Sequence, residues 1–224
     1  IIKNSCMEHH NFIITELRRD YYNKRASLKK NTWSKQSELC STLWILSWLC
    51  PIRPQELSTM TIGYNEENNC FDPESRKFYF RDHKTKGTTG VVTIDLNDIS
   101  YLKEERIKEF VAITKPGIGK SLVTNEKGEK YTSGAGGFQR NFMKKIEHIN
   151  DKFKEQFNVK LEDGSIKNGF KSFNCLRHSF VTYMNNQGTT ENNNDMTRVL
   201  KNSKAVQDKH YIDSAPRSVG SNLL

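Results

Sequence analysis

Leu49-Cys50-Pro51-Ile52-Arg53-Pro54-Gln55-Glu56-Leu57 is the stretch from which the rest of the chain can be read. Just before it, Leu39, Leu43, Leu46 and Leu49 or Cys50 recur at helical spacing, which predicts a buried helix from Glu38 to Cys50. Pro51 ends that helix, so Arg53 is expected just past a rigid helix end. Downstream, Lys77-Phe78-Tyr79-Phe80-Arg81 and Val91-Val92-Thr93-Ile94 read as two strands of a hairpin, joined by a polar, glycine-containing link from Lys84 to Gly90. Helical periodicity resumes from Ile99 to Ile113 and is stopped by Pro116-Gly117. An amphipathic helix is predicted from about Phe138 to Phe153, preceded by a flexible loop at Gly134-Ala135-Gly136-Gly137. After a polar stretch at Glu162 to Gly169, three short helices are expected at Asn174 to Asn186, Asn192 to Leu200 and Ala205 to Ile212. The chain shows no internal repeat. The expected fold is mainly α with a small antiparallel β-sheet, in the α+β class.

A chain of 224 residues can bury a sizeable core, and one domain is expected. The formal charge of +9, from 35 Lys and Arg against 26 Asp and Glu, suits a polyanionic partner such as nucleic acid and suits equally a basic soluble protein. Basic residues crowd the start of the chain: Lys3, Arg18, Arg19, Lys24, Arg25, Lys29, Lys30 and Lys35 face only Glu8, Glu16 and Asp20. Residues 1–34 are therefore expected to form a basic helical segment or linker able to touch a phosphate backbone. The opening Ile1-Ile2-Lys3 carries neither an initiator methionine nor a signal-peptide pattern, which suggests an excised or processed chain with a segment missing upstream. Cys6, Cys40, Cys50, Cys70 and Cys175 are odd in number and form no C-x-x-C pair, so a reducing, intracellular setting is expected, in the cytoplasm or nucleus rather than outside the cell. The longest apolar run, around Leu43 to Cys50, falls well short of the ~20 residues of a membrane span, and no membrane partner is expected.

Three tempting motifs are set aside. Gly119-Lys120-Ser121 resembles the end of a nucleotide-binding loop, but its first glycine would fall at Thr114, and a helix precedes it where a strand is needed. It is read as a turn. Gly134-Ala135-Gly136-Gly137 reads as a flexible loop rather than a phosphate cradle. His9-His10 beside Glu8 has no second cluster to complete a metal site, so no metal and no cofactor are expected.

Two arginines, Arg53 and Arg177, stand far apart in the chain, each in its own short signature, and both suit a phosphate. Transesterification without a metal needs a nucleophile, cations for the two non-bridging oxygens, and a proton donor for the leaving 5′ oxygen. Arg53 and Arg177 offer planar, permanently charged forks whose geometry lysine does not match. Taken singly, each is as well explained as a surface arginine. Together with their contexts, Arg53-Pro54-Gln55-Glu56-Leu57, Phe173-Asn174-Cys175-Leu176-Arg177-His178-Ser179-Phe180-Val181-Thr182 and Lys209-His210-Tyr211 resemble the signatures of the tyrosine recombinases, the phage-integrase family. The resemblance covers roughly Lys35 to Tyr211 and implies that residues 35–224 form a DNA-cleaving and rejoining domain, the family's N-terminal clamping domain not being visible.

The resemblance also assigns roles. Tyr211 would be the nucleophile, and Glu56 would support Arg53 from behind or simply begin the next helix. Lys84, on the hairpin link His83-Lys84-Thr85-Lys86-Gly87, would be the general acid, with Lys86 in reserve. Two positions depart from the family: Asn174 stands where histidine or a substitute is usual, and Asn202 where histidine or tryptophan is usual. Asparagine can bond a phosphate oxygen but cannot shuttle a proton near neutral pH. His178 and His210 do not fall at the family's catalytic positions and are read as structural. The implied partner is double-stranded DNA, bound by a homotetramer on paired sites or, as a free fragment, by a monomer. Two alternatives stand beside it: a type IB-like topoisomerase, and a catalytically silent DNA-binding protein of the same fold.

Overall fold

Burial alternates along Lys77-Phe78-Tyr79-Phe80, with Phe78 and Phe80 fully buried and their neighbours half-buried, and this strand is the spine of the computed structural model. The structure describes residues 2–27, 52–84, 86–100, 102–125, 127, 129–131 and 135–157. Over these residues run α1 (Ile2–Ser27), α2 (Pro54–Thr59), β1 (Thr61–Ile62), β2 (Cys70–Asp72), β3 (Lys77–Phe80), α3 (Lys86–Thr89), β4 (Val92–Asp95), α4 (Glu104–Thr114) and α5 (Ala135–Phe157). Single 3₁₀ turns occur at Leu96–Asp98 and Lys115–Gly117. The result is a mixed α+β fold around a four-stranded sheet of order β1-β2-β3-β4. The expected helix at Glu38 to Cys50 and the three expected near the C-terminus lie outside the described residues.

The expected hairpin is β3 and β4, paired antiparallel with Phe78 opposite Ile94 and Lys77 opposite Asp95. Arg81 falls outside the strand because its N–H donates to the Asn69 side chain at 2.8 Å instead of continuing the ladder. Two further strands were not expected. β2 pairs antiparallel with β3 across a turn in which the Asp72 carboxylate accepts from the Ser75 hydroxyl at 2.5 Å and the Glu74 N–H at 3.1 Å. The sheet is also not wholly antiparallel, since β1 runs parallel to β2. Parallel strands normally need a long crossover. The link at 63–69 suffices because β1 has only two residues and the return is tight: Gly63 takes a φ of 95°, and Asn65 Oδ1 accepts from the N–H groups of Glu67 and Asn68 at 2.8 and 2.9 Å.

Helix α4 covers one face. Ile107, Phe110 and Thr114 are buried on a single helical stripe, and the Phe110 ring lies 4.9 Å from that of Phe71, which is 4.6 Å from Phe78. The helix begins at Glu104, five residues later than the expected Ile99. Asp95 accepts from the Asn97 N–H at 2.9 Å, closing a 3₁₀ turn, and Ile99 is extended. Leu96 and Ile99 are thus buried without being helical. Beyond Pro116-Gly117 the chain doubles back along β1, with the Ile62 N–H donating to the Lys120 carbonyl and the Gly119 N–H to the Ile62 carbonyl, both at 2.9 Å. Gly119-Lys120-Ser121 is therefore a turn that covers a sheet edge, and Thr114 sits inside α4.

Helix α5 corrects the glycine loop: it starts at Ala135, so Gly136 and Gly137 form its first turn. Each glycine costs a helix roughly 1 kcal/mol relative to alanine. Burial of Gly137 and Phe138 offsets that cost. Helix α5 packs on α1 and α2. Helix α1 buries Leu17 and Tyr21, and the Tyr21 hydroxyl donates to Glu109 on α4 at 2.7 Å.

Candidate active site

Arg53 is held by its neighbours in sequence. Pro54 excludes the helical region for the residue before it, and Arg53 is extended at φ −69°, ψ 146°. Pro54 then opens α2 at the position where a missing N–H costs nothing. Glu56 turns back on Arg53: one carboxylate oxygen accepts from the Arg53 backbone N–H, the other from its guanidinium, both at 3.1 Å. Glu56 is 3% exposed, whereas the Arg53 side chain keeps 18%. Glu56 thus lies in the first turn of α2 and holds the arginine from behind. The buried carboxylate fixes the orientation of the planar guanidinium.

Lys84 is exposed and lies four residues beyond the end of β3. Its link is pinned from inside. His83 is buried, and because a carbonyl can only accept, its Nε2–H donates to the Gly90 carbonyl at 2.8 Å. The Lys86 N–H donates to the His83 carbonyl at 3.0 Å and the Gly90 N–H to the Lys86 carbonyl at 2.8 Å, which gives the short α3 turn. Gly90 closes the link with a φ of 65°. Lys86, the reserve proton donor, is exposed on α3, two residues beyond Lys84.

Asn69 joins the two regions, and sequence reasoning missed it. Its Oδ1 accepts from the N–H groups of Arg81 and Asp82 at 2.8 and 2.9 Å. Its Nδ2 donates to the Asp82 carbonyl at 2.8 Å and to the Thr59 hydroxyl at 3.2 Å. Thr59 in turn donates to the Glu56 carbonyl at 3.0 Å. Beside this junction the Arg81 guanidinium lies 5.6 Å from the ring centres of both Tyr64 and Tyr79, and its Nε donates to the Asn65 carbonyl at 2.8 Å.

Asn174, Arg177, Asn202 and Tyr211 lie outside the described residues. Of the basic N-terminal residues, Arg19 pairs with Glu16, Lys24 with Asp20 at 3.5 Å, and Arg25 with Glu109, so part of that charge is answered internally. Cys70 is buried, and burial pushes its thiol pKa up, keeping it protonated and a poor nucleophile. Among the described residues no group of His, Cys, Asp and Glu could hold a metal ion, and no helix is long and apolar enough to cross a membrane. No protein-family model matches the chain, and neither a curated protein nor a solved structure matches it.

Proposed function

We propose that this chain is a tyrosine site-specific recombinase that breaks and rejoins double-stranded DNA through a 3′-phosphotyrosyl intermediate, acting as a homotetramer on paired sites and serving a virus or other mobile element. The observation that carries the reading is the Arg53 fork, backed by buried Glu56 and tied through Asn69 to the pinned link that presents Lys84. The motif order from Arg53 through Arg177 to Tyr211 supports it.

In this mechanism Arg53 and Arg177 neutralise the non-bridging oxygens, and Asn174 and Asn202 donate hydrogen bonds to them. The Tyr211 oxygen attacks phosphorus and its proton passes to solvent. The bond from phosphorus to the 5′ oxygen breaks, and the Lys84 ammonium gives that oxygen its proton, which solvent later restores. A 5′ hydroxyl from the partner strand reverses the bond, conserving its energy, so the exchange balances without ATP or redox change.

Incubation with nicked duplexes, which lose the short cleaved piece, should give an SDS-resistant protein–DNA adduct that Tyr211→Phe abolishes while DNA binding persists. An adduct surviving in that variant contradicts the assignment. The presence of Asn174 and Asn202 favours a second reading, a catalytically silent DNA-binding protein, which would show salt-sensitive binding and no adduct. A type IB-like topoisomerase would instead relax supercoiled DNA irrespective of site.

A further inference from the structure

Asn69 uses its whole hydrogen-bonding capacity inside the protein. A primary amide offers two acceptor lone pairs and two donor hydrogens, and here all four are taken, by Arg81 N–H, Asp82 N–H, the Asp82 carbonyl and the Thr59 hydroxyl. The residue is 2% exposed, and its own carbonyl accepts from the Thr61 N–H at 2.9 Å. With acceptors on one side and donors on the other, the amide has one orientation. The three segments it holds are the C-terminal end of α2, the start of β1 and the exit from β3.

These attachments matter because of what each segment carries. α2 follows directly on Arg53, and Thr59 is bonded back to the carbonyl of Glu56, the residue whose side chain holds the Arg53 guanidinium. The exit from β3 runs Arg81-Asp82-His83-Lys84. A change at Asn69 therefore moves the lysine link relative to the arginine without touching either. Capping of β3 alone would need only the two acceptors, which an aspartate supplies equally well. The two donors are aimed at Thr59 and at the Asp82 carbonyl, so the amide rather than the carboxylate is what joins the arginine helix to the lysine link.

We propose that Asn69 is a positioning residue that sets Lys84 against the phosphate held by Arg53, so that proton delivery to the leaving 5′ oxygen depends on it. This rests on the recombinase reading above. A general acid contributes on the order of 10²- to 10⁴-fold, and a misplacement of about 1 Å can forfeit on the order of 10²-fold.

The test measures rates of adduct formation on nicked duplexes carrying either an ordinary 5′ oxygen or a bridging 5′ sulfur, which leaves without a proton. Wild type, Lys84→Ala, Asn69→Asp and Thr59→Val are compared, with circular dichroism and thermal melting on each. Asn69→Asp should capture oxygen DNA about 10- to 100-fold more slowly than wild type, bind DNA as tightly, and return to within about threefold on sulfur DNA, as Lys84→Ala does. Thr59→Val, which removes one exposed hydroxyl, should show the same pattern at about 3- to 10-fold. Equal slowing on both substrates, or no slowing in either variant, overturns the role of Asn69 while leaving the recombinase reading intact. Failure of sulfur to rescue Lys84→Ala removes the lysine and Asn69 together. Absence of any adduct from wild type on either substrate overturns the recombinase reading, and this proposal with it.

Discussion

Phe71 and Phe78 in the sheet and Phe110 on α4 above it are as thoroughly buried as Asn69 at the sheet's margin, yet the two regions hold the molecule in different ways. The aromatic cluster meets at ring separations of 4.6 to 6.1 Å, and its attraction tolerates small rotations. The margin is held by hydrogen bonds of 2.8 to 3.2 Å that weaken steeply once bent. The difference teaches that stability and aim are separable here. The core keeps α4 on the sheet, while the polar margin fixes where Lys84 stands relative to Arg53.

The largest effect should come from breaking the core. Phe110→Ala removes the ring that bridges α4 to Phe71 and Phe78 and should cost about 3–5 kcal/mol in denaturant unfolding, with DNA binding and catalysis lost in proportion to the folded fraction. A smaller cost would mean that α4 is held mainly elsewhere. Lys84→Ala should do the opposite: adduct formation falls at least ~10²-fold while unfolding moves by less than ~0.5 kcal/mol, because the side chain is exposed. If Lys84→Ala is silent and Lys86→Ala is not, the acid sits two residues along the link, at Lys86.

Glu56→Gln lies between these extremes. It keeps the shape but weakens the charged bond to Arg53, and should cost about 1–3 kcal/mol together with a measurable drop in adduct rate. A stability loss with no change in rate would show that Glu56 serves only to start α2.

The smallest effect is expected on the far side of the sheet, where Asp95 pairs with Lys77 at 3.2 Å. Burial alone would raise the Asp95 pKa, but the Asn97 N–H, the Lys77 ammonium and the Asn97 side chain together outweigh it and hold the carboxyl below its ordinary value. A depressed folded pKa gives stability that is present above the unfolded value near ~3.9 and lost as pH falls through the folded value. Asp95→Asn should therefore be less stable than wild type by under about 1 kcal/mol at pH 6, with the gap closing below about pH 4. A gap independent of pH would assign the effect to packing.

The parts legible in the sequence were those with periodicity or paired signals. Phe78 and Phe80 alternate with Lys77 and Tyr79, so β3 was visible, and Pro54 with Glu56 marked a helix start, whereas the contact of Glu56 with Arg53 was suggested only by the family resemblance. β1 and β2 have two and three residues, too few for a pattern. Leu96 and Ile99 carried helical spacing yet are buried through a 3₁₀ turn and an extended residue, since spacing reports burial before it reports backbone. Asn69 was invisible for another reason. It sits in Asn68-Asn69 beside the turn asparagine Asn65, and its partners Thr59, Arg81 and Asp82 are ten to thirteen positions away, so only three dimensions single it out.

The most direct test of the central claim is the identity of the residue that becomes joined to DNA. The adduct captured on nicked duplex would be digested with protease and nuclease, and the nucleotide-bearing peptide sequenced by mass spectrometry. The account predicts a 3′-phosphate ester on Tyr211, in the peptide containing Lys209-His210-Tyr211. Attachment at any other residue, or no attachment under conditions where the chain binds the DNA, would contradict it.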